Sequence, residues 1–203
     1  MLFDIPTSPT VTDRRARRSQ SALLSAAVRL VGERGTTAVS ATELAHEADV
    51  SRRVMYQHFG DRDGLLIAAT ANLVAQELLP RLSEDPYAPS TRLAVVGHFA
   101  EHRDFYRATL TGSCAYAAAR TLNSLFRPFS IAMARRWYGD LDEQTVEDMA
   151  DYLTGGSTMA LTAWLVDGPA PLDVEEFAER LFRIQSALTG ALPGHGPDTG
   201  GRR

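Results

Sequence analysis

Apolar residues recur along most of this chain at intervals of three and four. Leu23, Ala27, Leu30 and Val31 stand at i, i+4, i+7 and i+8, which predicts a helix from about Asp13 to Arg34. Gly35 supplies its stop, a left-handed cap. Ser40 then offers a hydroxyl cap that Glu43, three residues on, can answer, so a capping box opens a short second helix. Asp49 and Val50 break it, and Ser51 caps a third helix over about Arg52 to Phe59, with Met55 and Phe59 on one face. Gly60 ends that helix and Asp61 caps a fourth, which runs to about Leu82.

Beyond Pro86 the elements lengthen, to roughly 90–102, 104–111, 114–138, 142–167 and 173–189. Asp142 and Asp173 stand as N-caps, and Gly139, Gly168 and Pro171 mark breaks. No period-two alternation is long enough for a strand, and no internal repeat is present. The expected fold is all-α. An arm over residues 1–12 precedes a three-helix helix-turn-helix head over 13–66. A larger helical bundle follows over 67–190, and a Gly/Pro-rich tail over 191–203 reads as disordered.

Composition narrows the possibilities without choosing among them. With 203 residues, 44% of them hydrophobic, a sizeable core is available. No apolar run approaches the ~20 residues of a membrane span. The start, MLFDIPTSPTVTD, lacks the basic and apolar blocks of a secretory signal. A single cysteine, Cys114, cannot pair within the chain and fits a reducing cytoplasm. The net charge of −4 argues weakly against a generic polyanion binder, but it is unevenly spread. Residues 1–64 carry nine arginines against eight acids (+1), and 65–203 carry twelve against seventeen (−5), so any affinity for a polyanion is local to the first third.

The second and third helices have helix-turn-helix spacing. Ala45 is small where the two must cross, and Val50 and Met55 point inward. The opposite face of the third helix then carries Arg52, Arg53, Tyr56 and Gln57, placed as a recognition helix places its base-reading residues. Arginine there has a defined task, a bidentate bond to guanine O6 and N7.

The run Leu44-Ala45, Ala48-Asp49-Val50-Ser51, Val54-Met55-Tyr56, His58-Phe59, Asp61-Arg62-Asp63 and Leu65-Leu66 resembles the DNA-binding domain of TetR-type (tetracycline-repressor-like) transcriptional regulators, over about Ala26 to Leu66. The resemblance implies that Arg52 and Arg53, following Ser51, read bases, while Tyr56, His58 and Arg62 contact phosphates and Thr42 adds a hydroxyl beside its helix's N–H groups. Three positions depart from the family's pattern. Asp49 stands where glycine usually turns, Val54 replaces a threonine, and Arg62 replaces a lysine. Arg14, Arg15, Arg17 and Arg18 crowd the first helix's N-terminus, where cations oppose the helix dipole; phosphate contact would give the cluster a purpose, and a solvated basic face is the plainer account.

The bundle is less legible. Phe99, Phe105, Tyr116, Asn123, Phe126, Phe129, Met133, Tyr152 and Met159 are dense enough to enclose a small-molecule cavity, although most such residues simply build core. The resemblance adds weight, because the family's second domain binds an inducer and its last two helices pair two chains. His98, Glu101 and His102 lack the zincin order, so no metal and no cofactor is expected. Gly155-Gly156-Ser157 lacks a P-loop lysine and suits close helix packing. The expected function is a dimeric, ligand-responsive DNA-binding repressor. An architectural or cell-division factor without an inducer is the alternative, and no nucleophile–base pair supports an enzyme.

Overall fold

A computed structural model describes residues 11–82 and 88–190, so the expected arm up to residue 10 and the tail from residue 191 lie outside the described residues. Ten α-helices follow in order: α1 Val11–Arg34, α2 Ala41–Glu47, α3 Arg52–Phe59, α4 Arg62–Leu73, α5 Leu79–Leu82, α6 Pro89–Glu101, α7 Arg103–Thr111, α8 Ala115–Tyr138, α9 Glu143–Asp167 and α10 Val174–Gly190. No strand occurs among the described residues. No described helix is long and apolar enough to cross a membrane.

Local chemistry sets most of these boundaries. Ser51, Asp61, Asp142 and Asp173 each accept a hydrogen bond from the backbone N–H three residues on, as N-caps do. Gly35 and Gly60 close α1 and α3 at φ 62° and 78°. Asp142 is held below the usual carboxylate range, first by the hydroxyl and then by the N–H of Thr145.

One feature inside the expected fourth helix has no counterpart in the periodicity. Between α4 and α5 the backbone widens into a π segment, Val74–Leu78, where the N–H of Leu79 bonds the carbonyl of Val74. Pro80 follows directly. Its ring has no N–H and crowds the carbonyl four residues back, so a widened turn ahead of it relieves the helix.

The chain forms two compact units that do not follow chain order. The first gathers the described residues through Pro80 with Glu101–Leu122, so α7 and the first third of α8 belong with the head. Its core is built by α1 packing on α4 and α7. Leu23, Ala27 and Val31 of α1, Leu44 of α2, Met55 of α3, Leu65 and Leu66 of α4 and Tyr106 of α7 are all fully buried there. Burial, and then the charge of Glu77, push the Tyr106 phenol well above its ordinary value.

The second unit gathers the described residues of Arg81–Ala100 and those from Asn123 to Gly190. Ala134 and Tyr138 of α8 pack with Val146 of α9, and Ile131, Trp137, Leu141 and Met149 close around them. Trp164 and Phe177 stack with ring centroids 4.3 Å apart and planes 3° from parallel, joining α9 to α10. Outside this core Arg127 reaches Asp151 at 2.6 Å, and Arg135 forks onto both carboxylate oxygens of Glu143 at 2.9 and 2.7 Å.

Candidate nucleic-acid interface

The helix-turn-helix is assembled from reciprocal local bonds. Ser40 donates its N–H to Glu43 Oε2 at 2.8 Å, and Glu43 donates its N–H to Ser40 Oγ at 3.2 Å. Val39 and Leu44, at the two positions of a hydrophobic staple, are fully buried. Arg34 reaches Glu43 Oε1 at 2.6 Å, so the last turn of α1 is tied to the first turn of α2. Ser40's hydroxyl, then its N–H, then Arg34 hold the Glu43 carboxyl down to about 2.

At the turn, Asp49 takes φ 52°, the left-handed conformation that glycine adopts without strain. Val50 N–H bonds Ala45 O at 3.0 Å, which closes the corner. Ala45, 2% exposed, leaves room for the helix crossing, and Met55 anchors α3 from below. Val50, expected inside, is only half-buried.

With Met55 inward, α3 presents Arg52, Arg53, Tyr56, Gln57 and His58 to solvent. Tyr56 is 49% exposed, a large aromatic surface for a residue outside the core. Ser51 Oγ is occupied as the cap, accepting from Val54 N–H at 3.3 Å, and its own proton is left to donate. Thr42 is exposed in the first turn of α2. The His58 ring lies 6.0 Å from that of Phe59, which is half-buried and steadies it.

The arginines of the first third separate into two groups. Arg29 pairs with Glu33 and Glu47, Arg34 with Glu43, and Arg62 with Asp63. Arg14, Arg15, Arg17, Arg18, Arg52 and Arg53 are exposed and form no ion pair among the described residues. Among the described residues, a nearly neutral count therefore conceals six arginines without an ion pair, all on α1 and α3.

Arg62 differs from the simple expectation of an open phosphate fork. Its Nε donates to Asp63 Oδ1 at 2.9 Å, and its Nη2 donates to Ser113 Oγ at 2.9 Å. Its side chain is 34% exposed. Ser113 escaped notice in the sequence because the contact spans fifty-one positions. Gly64 also escaped it: a Cβ there would lie 2.2 Å from the carbonyl oxygen of Phe59, so glycine alone fits at position 64.

The candidate ligand-lining residues are divided between units and between interior and surface. Phe105 is buried in the first unit, and Tyr116, 77% exposed, lies there beneath Arg120. In the second unit Phe99 is buried with its ring 6.3 Å from Phe126, while Phe129 and Met133 are half-buried. Asn123 Oδ1 accepts from the Thr158 hydroxyl at 2.6 Å. Tyr152 and Met159 are 71% and 69% exposed on α9 and line no interior. Helical spacing reports which residues share a face; it does not say whether that face is covered.

The remaining motifs resolve individually. His98 is buried, Glu101 is exposed, and His102 Nε2 sits 2.8 Å from Glu77 Oε2. Cys114 is 4% exposed, with its thiol raised by burial and by the Asp63 carboxylate. A Cβ on Gly155 or Gly156 would meet no atom within 4 Å, so none of the described residues packs against that notch of α9.

Comparison with known proteins follows the same division. Residues 23–69 match the family described as bacterial regulatory proteins, tetR family. The transcriptional regulator BetI of Brucella suis is 35% identical over 77 residues, 36% of this chain and 38% of that protein. BetI of Rhizobium meliloti is 39% identical over 57 residues, 28% of each chain. The matched segment thus spans less than two fifths of these relatives' length. Among solved structures, Thermus thermophilus FadR, a TetR family transcriptional repressor in complex with lauroyl-CoA, superposes with a TM-score of 0.62 at 22% identity, covering 90% of this chain and all of that one. A TetR regulator from Rhodococcus sp. RHA1 gives 0.61 at 16% identity, covering 89% and 99%. At such identities the likeness is one of fold.

Proposed function

We propose that this chain, TetR-type in its helix-turn-helix head and in its all-helical fold, is a dimeric DNA-binding transcriptional regulator that a small molecule releases from its operator. The observation that carries DNA binding is the stripe Arg52, Arg53, Tyr56 and Gln57, exposed along α3 and without an ion pair among the described residues, over a capped helix that Met55 anchors. Arg52 and Arg53 read bases, and Tyr56, His58, Arg62 and Thr42 hold phosphates, with Ser51 at the helix's entry. The α1 arginines Arg14, Arg15, Arg17 and Arg18 extend the contact along the backbone and steepen its salt dependence.

A second copy is the partner proposed for α9 and α10. Tyr152, Gly155, Gly156 and Met159 recur at i, i+3, i+4 and i+7, forming one open apolar face with a notch where another helix can approach. Ile184 on α10, 49% exposed, adds to the apolar surface that a single chain leaves wet. Two heads then meet a pseudo-palindromic site at half-sites about 34–36 Å apart.

The effector site is proposed for the second unit, around Phe99, Asn123, Phe126, Phe129 and Met133. FadR's lauroyl-CoA is that protein's ligand and is not carried over; the aromatic and apolar residues named here support a small, largely apolar molecule by themselves. Such a ligand lowers DNA affinity to the extent that it binds the released state better.

Fluorescence anisotropy on DNA upstream of the protein's own gene, against an unrelated duplex and over a salt series, tests this function. Selective, salt-sensitive binding that Arg52→Ala relaxes toward the control, with Tyr56→Phe weakening both duplexes, is the expected result. Equal affinity for the two duplexes would remove sequence reading and leave an architectural role.

A further inference from the structure

We propose that Ser113, in the turn between α7 and α8, is a positioning residue that presents Arg62 to a DNA phosphate. The proposal rests on the DNA-binding reading and adds to it a residue far from the helix-turn-helix in sequence.

Ser113 bridges two charged groups. Its hydroxyl accepts from Arg62 Nη2 at 2.9 Å and donates to Asp63 Oδ1 at 3.0 Å, while Asp63 Oδ1 also accepts from Arg62 Nε at 2.9 Å. The Nε–Nη2 edge of the guanidinium is thereby engaged, and Nη1 has no bonded partner among the described residues. That free end stands at the start of α4, where an approaching phosphate also meets helix N–H groups.

The turn that carries Ser113 is itself fixed. Ser113 N–H bonds Thr37 Oγ1 at 3.4 Å, and Thr37 is buried between α1 and α2. Gly112 lies so close that a Cβ there would come within 2.3 Å of Thr37 Oγ1 and 2.7 Å of Ala108 O. Seated this way, the turn holds Ser113 at one place on the head. Arg62 is then oriented before DNA arrives, and the arginine stem has less rotamer freedom left to lose on binding. The Asp63 carboxylate, which would otherwise repel a phosphate, is drawn toward the serine hydroxyl.

The test uses the full chain and the duplex from upstream of its own gene. Affinity is read over a salt series for the wild type, Ser113→Ala, Ser113→Thr, Arg62→Gln and the Ser113→Ala/Arg62→Gln pair, with a thermal melt of each. Arg62→Gln is expected to lower the slope of log K against log salt by about 0.9, one phosphate's worth. Ser113→Ala is expected to lose several-fold in affinity and part of that slope, to lose nothing further when Arg62 is already glutamine, and to be restored by threonine. Unchanged or tighter binding by Ser113→Ala would overturn the positioning role. An undiminished loss in the Arg62→Gln background would overturn it too, because a purely structural serine acts whether or not the arginine is there. A slope that Arg62→Gln leaves unchanged removes the phosphate contact and the positioning with it, while selectivity through Arg52 still stands. Failure of the wild type on every duplex removes both readings.

Discussion

Ser40 and Glu43 satisfy each other's backbone at the entrance to α2: each donates its N–H to the other's side chain, at 2.8 and 3.2 Å. The arrangement requires an ionised Glu43, whose carboxyl is held down to about 2, against an ordinary value of 4.5, by the bonds to Ser40 and then to Arg34. A carboxylate depressed by folding stabilises the fold above its ordinary value and loses that stabilisation as pH falls toward the folded one. Wild-type protein should therefore lose stability to urea relative to Glu43→Gln between pH 4.5 and about 2, with the difference at its largest at neutral pH. Urea midpoints of the two proteins across that range check it; parallel curves would mean the box contributes nothing through ionisation.

Support and contact on α3 should separate cleanly. Met55, fully buried, should cost about 2–5 kcal/mol on truncation to alanine, since a cavity opens beneath the helix. Arg52→Ala, at an exposed and unpaired position, should leave stability within about 0.5 kcal/mol and remove about 1–3 kcal/mol of base discrimination. Thermal melts alongside binding to matched and altered duplexes distinguish the two effects.

Asp49 occupies a left-handed position at φ 52°. Glycine adopts that conformation freely, so Asp49→Gly should stabilise the head by up to roughly 1 kcal/mol, and a β-branched Asp49→Val should destabilise it by more. Denaturant titration of the three proteins should rank them in that order.

Cys114 should resist thiol reagents at neutral pH. Burial and the neighbouring Asp63 carboxylate raise its thiol and keep it protonated, and its Sγ lies 3.7 Å from Thr109 O inside the first unit. Alkylation monitored by mass should be slow in the native state and should speed up with urea in step with unfolding. Fast native labelling would show that the α7–α8 turn opens locally.

The helix-turn-helix was legible because its determinants are local. Ser40 with Glu43, Ser51, Asp61, Gly35 and Gly60 act within three or four residues of themselves, and each does in space what its spacing implies. Asp142 and Asp173 show that the same holds in the bundle. Long-range geometry was not legible. Nothing adjacent to Arg62 announces Ser113, and nothing in α7's periodicity announces that it joins the head through α1. Tyr152 and Met159 illustrate a different gap. Their residue types suit an interior, but whether a helix face is enclosed depends on which neighbours reach it, and the described residues leave these two largely exposed.

The π segment Val74–Leu78 carries a consequence for how this chain tolerates change in length. A π turn holds one residue more than the α-helix around it, and each residue advances an α-helix by about 100°. The extra residue is taken up inside that wide turn, so deleting one residue between Val74 and Leu78 would let the backbone narrow toward an α turn while the side chains that follow keep close to their present azimuth. The same deletion in the regular helix of α4 would turn everything after it by about 100°. A lost residue is thus absorbed at this point and resets the angular phase elsewhere along the helix.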